Sequence, residues 1–375
     1  MKRIWLFLLS QPILRIIILI LALYIFILGI QMMGAGFKTA FKDYSEQLLK
    51  VISDPLSSFF IGLLVTSILQ SSSLTTSILV SLCAAGLLPV RMTIPAIMGA
   101  NIGTAITNTL VAFAYITRKE EFRRAFSGSL IHDYFNIFGC LIFLPLEIIF
   151  HPLEKTALLF KSIFVGVGGV KIASPIDFLT KPFLNLFKNL IPWQPEIIFI
   201  ILGLVILFFS LKIIAKIMRR IMSGKMERIV RDHAFANPRK SFLLGLGLTS
   251  TIQSSSITTS LLIPLQAAGI LRLGRVLPYT VGANIGTTVT AILASLAITV
   301  PAGVHLAFTH LFFNVFTALV IFSFKPLKNL IILLAKKSGD LVVESKLGAF
   351  LMIGGYLIGT SYFLPILYLL LRGLL

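Results

Sequence analysis

The sequence predicts an all-α membrane protein with two inverted-topology repeats. Each repeat holds three spanning helices and one re-entrant hairpin, and an additional C-terminal helix follows. Three observations predict this. First, 57% of the 375 residues are hydrophobic and 13% are charged, with a mean hydropathy of +0.97. Soluble domains are about 45–50% apolar and about 25% charged, so a soluble enzyme and a disordered chain are both excluded. Second, polar motifs recur at a constant offset of 183 residues. Gln70–Thr76 reads QSSSLTT and Gln253–Thr259 reads QSSSITT; Gly99–Thr107 reads GANIGTAIT and Gly282–Thr290 reads GANIGTTVT. Residues 62–108 align on 245–291 without a gap at 25 identities in 47 positions. The matching residues are largely small or polar, which shared apolar character does not explain. Third, the 33 Lys+Arg against 14 Asp+Glu concentrate in the connections expected on one side of a bilayer.

The elements follow in chain order. Apolar runs of about 20 residues suit spanning helices, and they fall near 13–34, 93–117, 126–150, 196–217, 276–299, 305–324 and 347–371. The first follows a basic start, Lys2 and Arg3, but is too long for a signal-peptide core. The stretches 58–88 and 241–271 carry QSSS in their middle. A continuous helix would bury those hydroxyls in lipid, whereas a re-entrant hairpin holds them at a tip inside protein. With the N-terminus cytoplasmic, Arg118, Lys119, Arg123, Arg124 and the basic stretch 218–241 also fall inside. The first repeat spans 1–160, with hairpin 58–88 and broken helix 93–117. A joining segment, 161–193, carries an interfacial helix near 172–191. The second repeat spans 194–335, with hairpin 241–271 and broken helix 276–299, and 336–375 forms the C-terminal helix. Three crossings per repeat invert the second, and the hairpin tips then meet near the midplane. Cys83 and Cys140 lie in apolar runs and read as packing residues.

The tips carry the candidate chemistry. Ser71, Ser72 and Ser73 are repeated as Ser254, Ser255 and Ser256, beside Gln70 and Gln253. Hydroxyls and amides donate and accept, and a helix restarting there adds free N–H groups. Such a neutral site suits a compact oxyanion that must be released. Asn101, Thr104 and Thr107, repeated as Asn284, Thr287 and Thr290, offer oxygens for a hard monovalent cation, with glycines that permit unwinding. The competing reading is that Gly99-x-x-x-Gly103 and Gly282-x-x-x-Gly286 are helix-packing motifs. Thr75, Thr76, Thr258 and Thr259 read equally well as bonding their own backbone. His132 and Asn136 are repeated as His310 and Asn314, and the histidines read either as site residues or as bonds to a neighbouring helix. Asp133 has no duplicate and reads as a charge-coupling residue.

The paired QSSS segments, each followed by GANIGT, resemble the type II sodium-phosphate cotransporter family. Phe122–Glu147, FRRAFSGSLIHDYFNIFGCLIFLPLE, is similar to its animal members. The resemblance implies sodium-driven transport of inorganic phosphate, with Na+ as coupling ion and no other cofactor. It implies phosphate on Ser71–Ser73 and Ser254–Ser256, and sodium at Gln70, Gln253, Thr287, Thr290 and Asn136. It also implies electrogenic transport through Asp133. Ala100 and Ala283 depart from a frequent family Ser. The short 151–193 segment points to a prokaryotic member in the inner membrane. The partners expected are phosphate, sodium and the lipid bilayer, without nucleic acid, and self-association is left open. Two alternatives stand beside this: a membrane-embedded lipid-phosphate hydrolase and an anion channel. The hydrolase lacks Arg, Lys or a metal in the motif segments, and a channel would line its pore with charged or carbonyl rings.

Overall fold

A computed structural model describes residues 12–40, 54–84, 88–164, 237–252, 254–298 and 301–374, with scattered residues between 182 and 235. The described residues are almost entirely helical. In order they form α1 (Pro12–Ala40), α2 (Pro55–Leu69), α3 (Ser72–Ala84), α4 (Val90–Thr104), α5 (Ile106–Ala112) and α6 (Lys119–Phe150). Then come α7 (Pro152–Phe164), α8 (Pro238–Ile252), α9 (Ser255–Ser260), α10 (Leu262–Ala267), α11 (Leu273–Ile298), α12 (Pro301–Ser323), α13 (Lys325–Glu344) and α14 (Lys346–Leu371). Val90–Tyr115, Lys119–Phe150, Pro301–Ser323 and Lys346–Leu371 are long and apolar enough to cross a membrane. The expected span at 196–217 and the interfacial helix at 172–191 lie largely outside the described residues. α1 and α14 turn large apolar side chains outward, with Ile13 73% and Phe350 68% exposed. Lipid accepts such faces, whereas water penalises contiguous ones.

The glycines decide how the helices pack. α2 lies along α4, where a Cβ at Gly99 would sit 2.0 Å from the Phe59 carbonyl oxygen and one at Gly103 2.6 Å from that of Leu63. The second copy repeats this: a Cβ at Gly282 would meet the Phe242 oxygen at 2.1 Å and one at Gly286 the Leu246 oxygen at 2.8 Å. The packing reading of the paired GxxxG motifs is therefore correct. The expected break in 276–299 is corrected, because α11 runs unbroken from Leu273 to Ile298. Its glycines remove side chains from a backbone contact; they do not unwind the helix. The first copy is interrupted only at Ala105, between α4 and α5. Gly282→Ala drives a methyl group into a carbonyl that cannot rotate away. It is expected to cost about 3 kcal/mol or more, read as a lowered melting temperature, with Gly274→Ala, which meets open space, as the near-neutral control.

Two amphipathic helices escaped the sequence reading. α7 buries Leu153 and Ala157 beside Val304 and Phe308 of α12. The Glu147 carboxylate caps its start, accepting from Leu153 N at 2.8 Å and Glu154 N at 3.0 Å. α13 packs Ile331, Ala335 and Gly339 against α6, and Arg123 pairs with Asp340 at 3.0 Å. α13 crosses position 336, so the C-terminal helix expected from there begins instead at Lys346.

Basic side chains mark the two ends of α6. At its start, Arg124 donates to the Ala267 carbonyl at 3.0 Å, where α10 ends. At its finish, Arg91 and His151 gather at Glu154, 3.3 and 3.7 Å away. Because α2 runs parallel to α4, Asp54 lies at that second end, where Arg372 pairs with it at 3.1 Å. Burial alone would raise the Asp54 carboxyl, but bonds from Ser57, Arg372 and Leu56 outweigh it and hold it below the usual range. The base of the α2–α3 pair and the base of the α8–α10 unit thus lie at opposite ends of α6.

Candidate functional site

Each QSSS segment is a break between two helices that fold back on each other. Gln70 adopts a left-handed conformation, φ 55°, as the C-cap of α2, and its amide nitrogen donates to the Ser67 carbonyl. Thr66 Oγ1 donates to Thr75 Oγ1 at 2.9 Å across the break, and Thr249 and Thr258 pair at 2.6 Å across the second. Residues nine apart in one straight helix would be about 13.5 Å apart along its axis, so the chain doubles back at both places. The helices restart at equivalent residues, Ser72 and Ser255. Ser72, Ser255 and Ser256 are buried, while Ser71, Ser73 and Ser254 are partly exposed. Ser254 Oγ caps α9 by accepting from Ile257 N at 3.3 Å. Gln253 and the Thr290 side chain lie outside the described residues.

Neighbouring residues of α5 tie the two breaks together. Thr107 donates to Gln70 Oε1 at 2.6 Å. Asn108 Oδ1 accepts from Thr259 at 3.0 Å and from Ser260 at 2.9 Å. Both breaks therefore converge on one turn of helix.

Below them runs a reciprocal set of bonds between the repeats. Asn101 faces His310 Nε2 at 3.0 Å through Oδ1 and donates to Asn314 Oδ1 at 3.1 Å. Its duplicate Asn284 faces His132 Nε2 at 2.6 Å and donates to Asn136 Oδ1 at 2.6 Å. Each repeat's GANIGT asparagine thus engages the other repeat's His-x-x-x-Asn, the mutual contact of a two-fold relation. The hydrogen-bond network assigns the tautomer. Asn108 Oδ1 is taken by two hydroxyls, so its Nδ2 donates to His132 Nδ1 at 3.2 Å, and Nε2–H of His132 donates onward to Asn284. Asn136 then donates to the Asn101 carbonyl at 2.9 Å. These bonds involve no carboxylate, Lys or Arg.

The other candidates divide. Thr104 and Thr287 bond their own helices, to Ala100 O at 2.9 Å and Ala283 O at 3.0 Å. Thr75 and Thr258 also bond backward, to Ser71 O at 3.2 Å and Ser254 O at 3.1 Å, which supports their backbone reading. Asp133 is buried on α6, and no ion pair to a basic side chain forms with it among the described residues. Sequence reasoning missed Asn108 and Ser260. The available signal was asymmetry: Asn108 is a polar residue whose duplicate is Ala291.

That asymmetry has a structural consequence. Where Asn108 joins Thr259 to His132, the equivalent Thr76 Oγ1 and His310 Nδ1 are buried without a partner among the described residues. Ala291→Asn would restore a carboxamide between them. It is expected to raise stability by about 1 kcal/mol, read as a higher melting temperature, while Ala291→Leu, with no polar group, lowers it.

Comparison with known proteins adds a family. The Na+/Pi-cotransporter family model matches residues 25–171 and 206–335. The chain is 30% identical to sodium-dependent phosphate transport protein 2B of Pongo abelii and of Homo sapiens, over 94% of this chain and 65% of each relative. It is 30% identical to sodium-dependent phosphate transport protein 2A of Rattus norvegicus over 84% of this chain and 62% of that protein. The chain thus spans just under two thirds of the length of these curated relatives. No solved structure matches it significantly.

Proposed function

The chain belongs to the Na+/Pi-cotransporter family, and on that premise we propose that it is an integral membrane carrier that moves inorganic phosphate with sodium, electrogenically. The observation that carries this is the convergence of both QSSS breaks on Thr107 and Asn108. Phosphate is held by the hydroxyls of Ser71–Ser73 and Ser254–Ser256 and by the N–H groups where α3 and α9 start. Without a fixed cation, the site binds the anion and still releases it. Oxygens of Gln70, Gln253, Asn101, Thr104, Asn284, Thr287, Thr290 and Asn136 hold sodium beside it; the side-chain oxygens of Asn101, Asn136 and Asn284 each take one partner in the network and keep a second lone pair. Asp133 supplies the negative charge that makes the loaded carrier respond to voltage. The opposite placement of the two hairpin bases along α6, and the reciprocal Asn–His bonds, support inverted repeats that exchange access by moving against each other. The short 151–193 segment favours a prokaryotic inner membrane, and the side on which the basic connections gather favours a cytoplasmic N-terminus.

The test uses purified protein in liposomes with radiolabelled phosphate. An inward sodium gradient is expected to drive uphill uptake, and an inside-negative potential to accelerate it. Asp133→Asn is expected to abolish the voltage effect while sodium dependence persists. Absence of sodium stimulation refutes sodium coupling, and voltage-independent uptake in the unmodified chain refutes the electrogenic part. Of the alternatives, the hydrolase is disfavoured because both imidazoles bond to asparagines among the described residues rather than to a serine nucleophile. Uphill uptake disposes of a channel.

A further inference from the structure

We propose that the groove between α8, α11 and α12 is a binding site for one anionic phospholipid, its acyl chain in the groove and its phosphate on Arg239 and Lys240. The groove has a volume of about 640 Å³ and is lined by apolar side chains, including Phe242, Pro278, Val315 and Leu319, with Arg239 at its rim.

The first repeat shows what such a groove needs. Phe242, Pro278 and Ile285 are duplicates of Phe59, Pro95 and Ile102, and Val315 corresponds to Ile137. There the equivalent cleft is filled by the end of α14. Leu369 is fully buried in that cluster, and Tyr368 packs on Phe60 with ring centroids 4.7 Å apart. Among the described residues, α14 covers one groove and nothing covers the other.

Charge selects the occupant. The filled groove ends at Asp54, which receives Arg372 of α14. The duplicate of Asp54 is Asn237, followed by Arg239 and Lys240 where the first repeat has Leu56 and Ser57. Arg239 and Lys240 are exposed. A second copy of α14 would bring Arg372 against these two cations. An anionic headgroup instead meets complementary charge at the membrane surface while its chain occupies apolar space.

The test places a reporter in the groove. In a full-length chain with Trp5→Phe and Trp193→Phe, Leu319→Trp is reconstituted into phosphatidylcholine vesicles containing phosphatidylglycerol. Bromine is carried on the acyl chains of one lipid or the other. Quenching per brominated lipid is expected to be several-fold stronger for phosphatidylglycerol, and Arg239→Gln with Lys240→Gln is expected to equalise the two. Equal quenching in the unmodified charge background means ordinary surrounding lipid and overturns the proposal. No quenching by either lipid means that protein fills the groove, which also overturns it. Leu243→Trp serves as a second reporter should the first fail to fold.

Discussion

Ser72→Ala combined with Ser255→Ala is expected to leave a folded protein whose half-saturating phosphate concentration rises about 100-fold or more, with sodium unable to restore it. A hydrogen bond to a charged group contributes about 1.5–3 kcal/mol, so losing one from each tip removes about 3–6 kcal/mol. The lower bound corresponds to roughly two orders of magnitude in affinity. Ser72 and Ser255 are the residues at which the helices restart, so each hydroxyl sits among the first free N–H groups of its helix. Both are 4% exposed or less, and alanine fits the same space with better helix propensity. Stability is therefore expected to hold while transport is lost, which separates a binding defect from a folding defect. Single variants give intermediate values if both tips hold one anion. Should either single variant match the double, the two tips do not share it. Unchanged half-saturation in the double variant removes the serines from the site. The measurement is the concentration dependence of sodium-driven uptake in liposomes, beside thermal melts of the same preparations.

Composition made the helical, membrane-spanning class legible and the duplicated motifs made the breaks legible, because constant spacing of polar residues in an apolar chain has few physical explanations. The break at Gln70 and the restart at Ser72 stand where a buried hydroxyl cluster requires them. The glycines misled, since glycine serves both an unwound backbone and a close helix contact; only the position of Phe242 O, 2.1 Å from a Cβ at Gly282, tells the two apart. α13 was hidden because its lysines read as a charged connection, while Ile331, Ala335 and Val342 sit at the helical spacing of a buried stripe. The Asn–His exchange between repeats could not be read at all. The sequence shows that Asn101 and His310 are each duplicated, but which partner each faces depends on how one repeat turns against the other. Asn108 has Ala291 as its duplicate, so identity between the repeats, the signal that marks the other site residues, does not mark it.

Asn284→Leu is expected to be strongly destabilising, costing about 2–6 kcal/mol. The leucine fills a similar volume but strands two groups. His132 Nε2–H and Asn136 Oδ1, both 1% exposed or less, lose partners 2.6 Å away. A buried unsatisfied group costs about 1–3 kcal/mol, and marginal stability leaves little to spare. The reciprocal geometry makes a sharper demand. Asn101→Leu strands His310 Nε2–H and Asn314 Oδ1 in the same way, so it should destabilise comparably. It also unpairs a histidine whose other nitrogen already lacks a partner among the described residues. A double-mutant cycle of Asn284→Leu with His132→Leu removes donor and acceptor together, and should recover about 1–3 kcal/mol of coupling. Asn284→Leu with His310→Leu, drawn from the two different asparagine sets, should be nearly additive. Melting temperatures in detergent give all six values. Coupling of Asn284 to His310 as large as to His132 would mean that the two sets act as one lattice, and the independent exchange of partners between the repeats would fail with it.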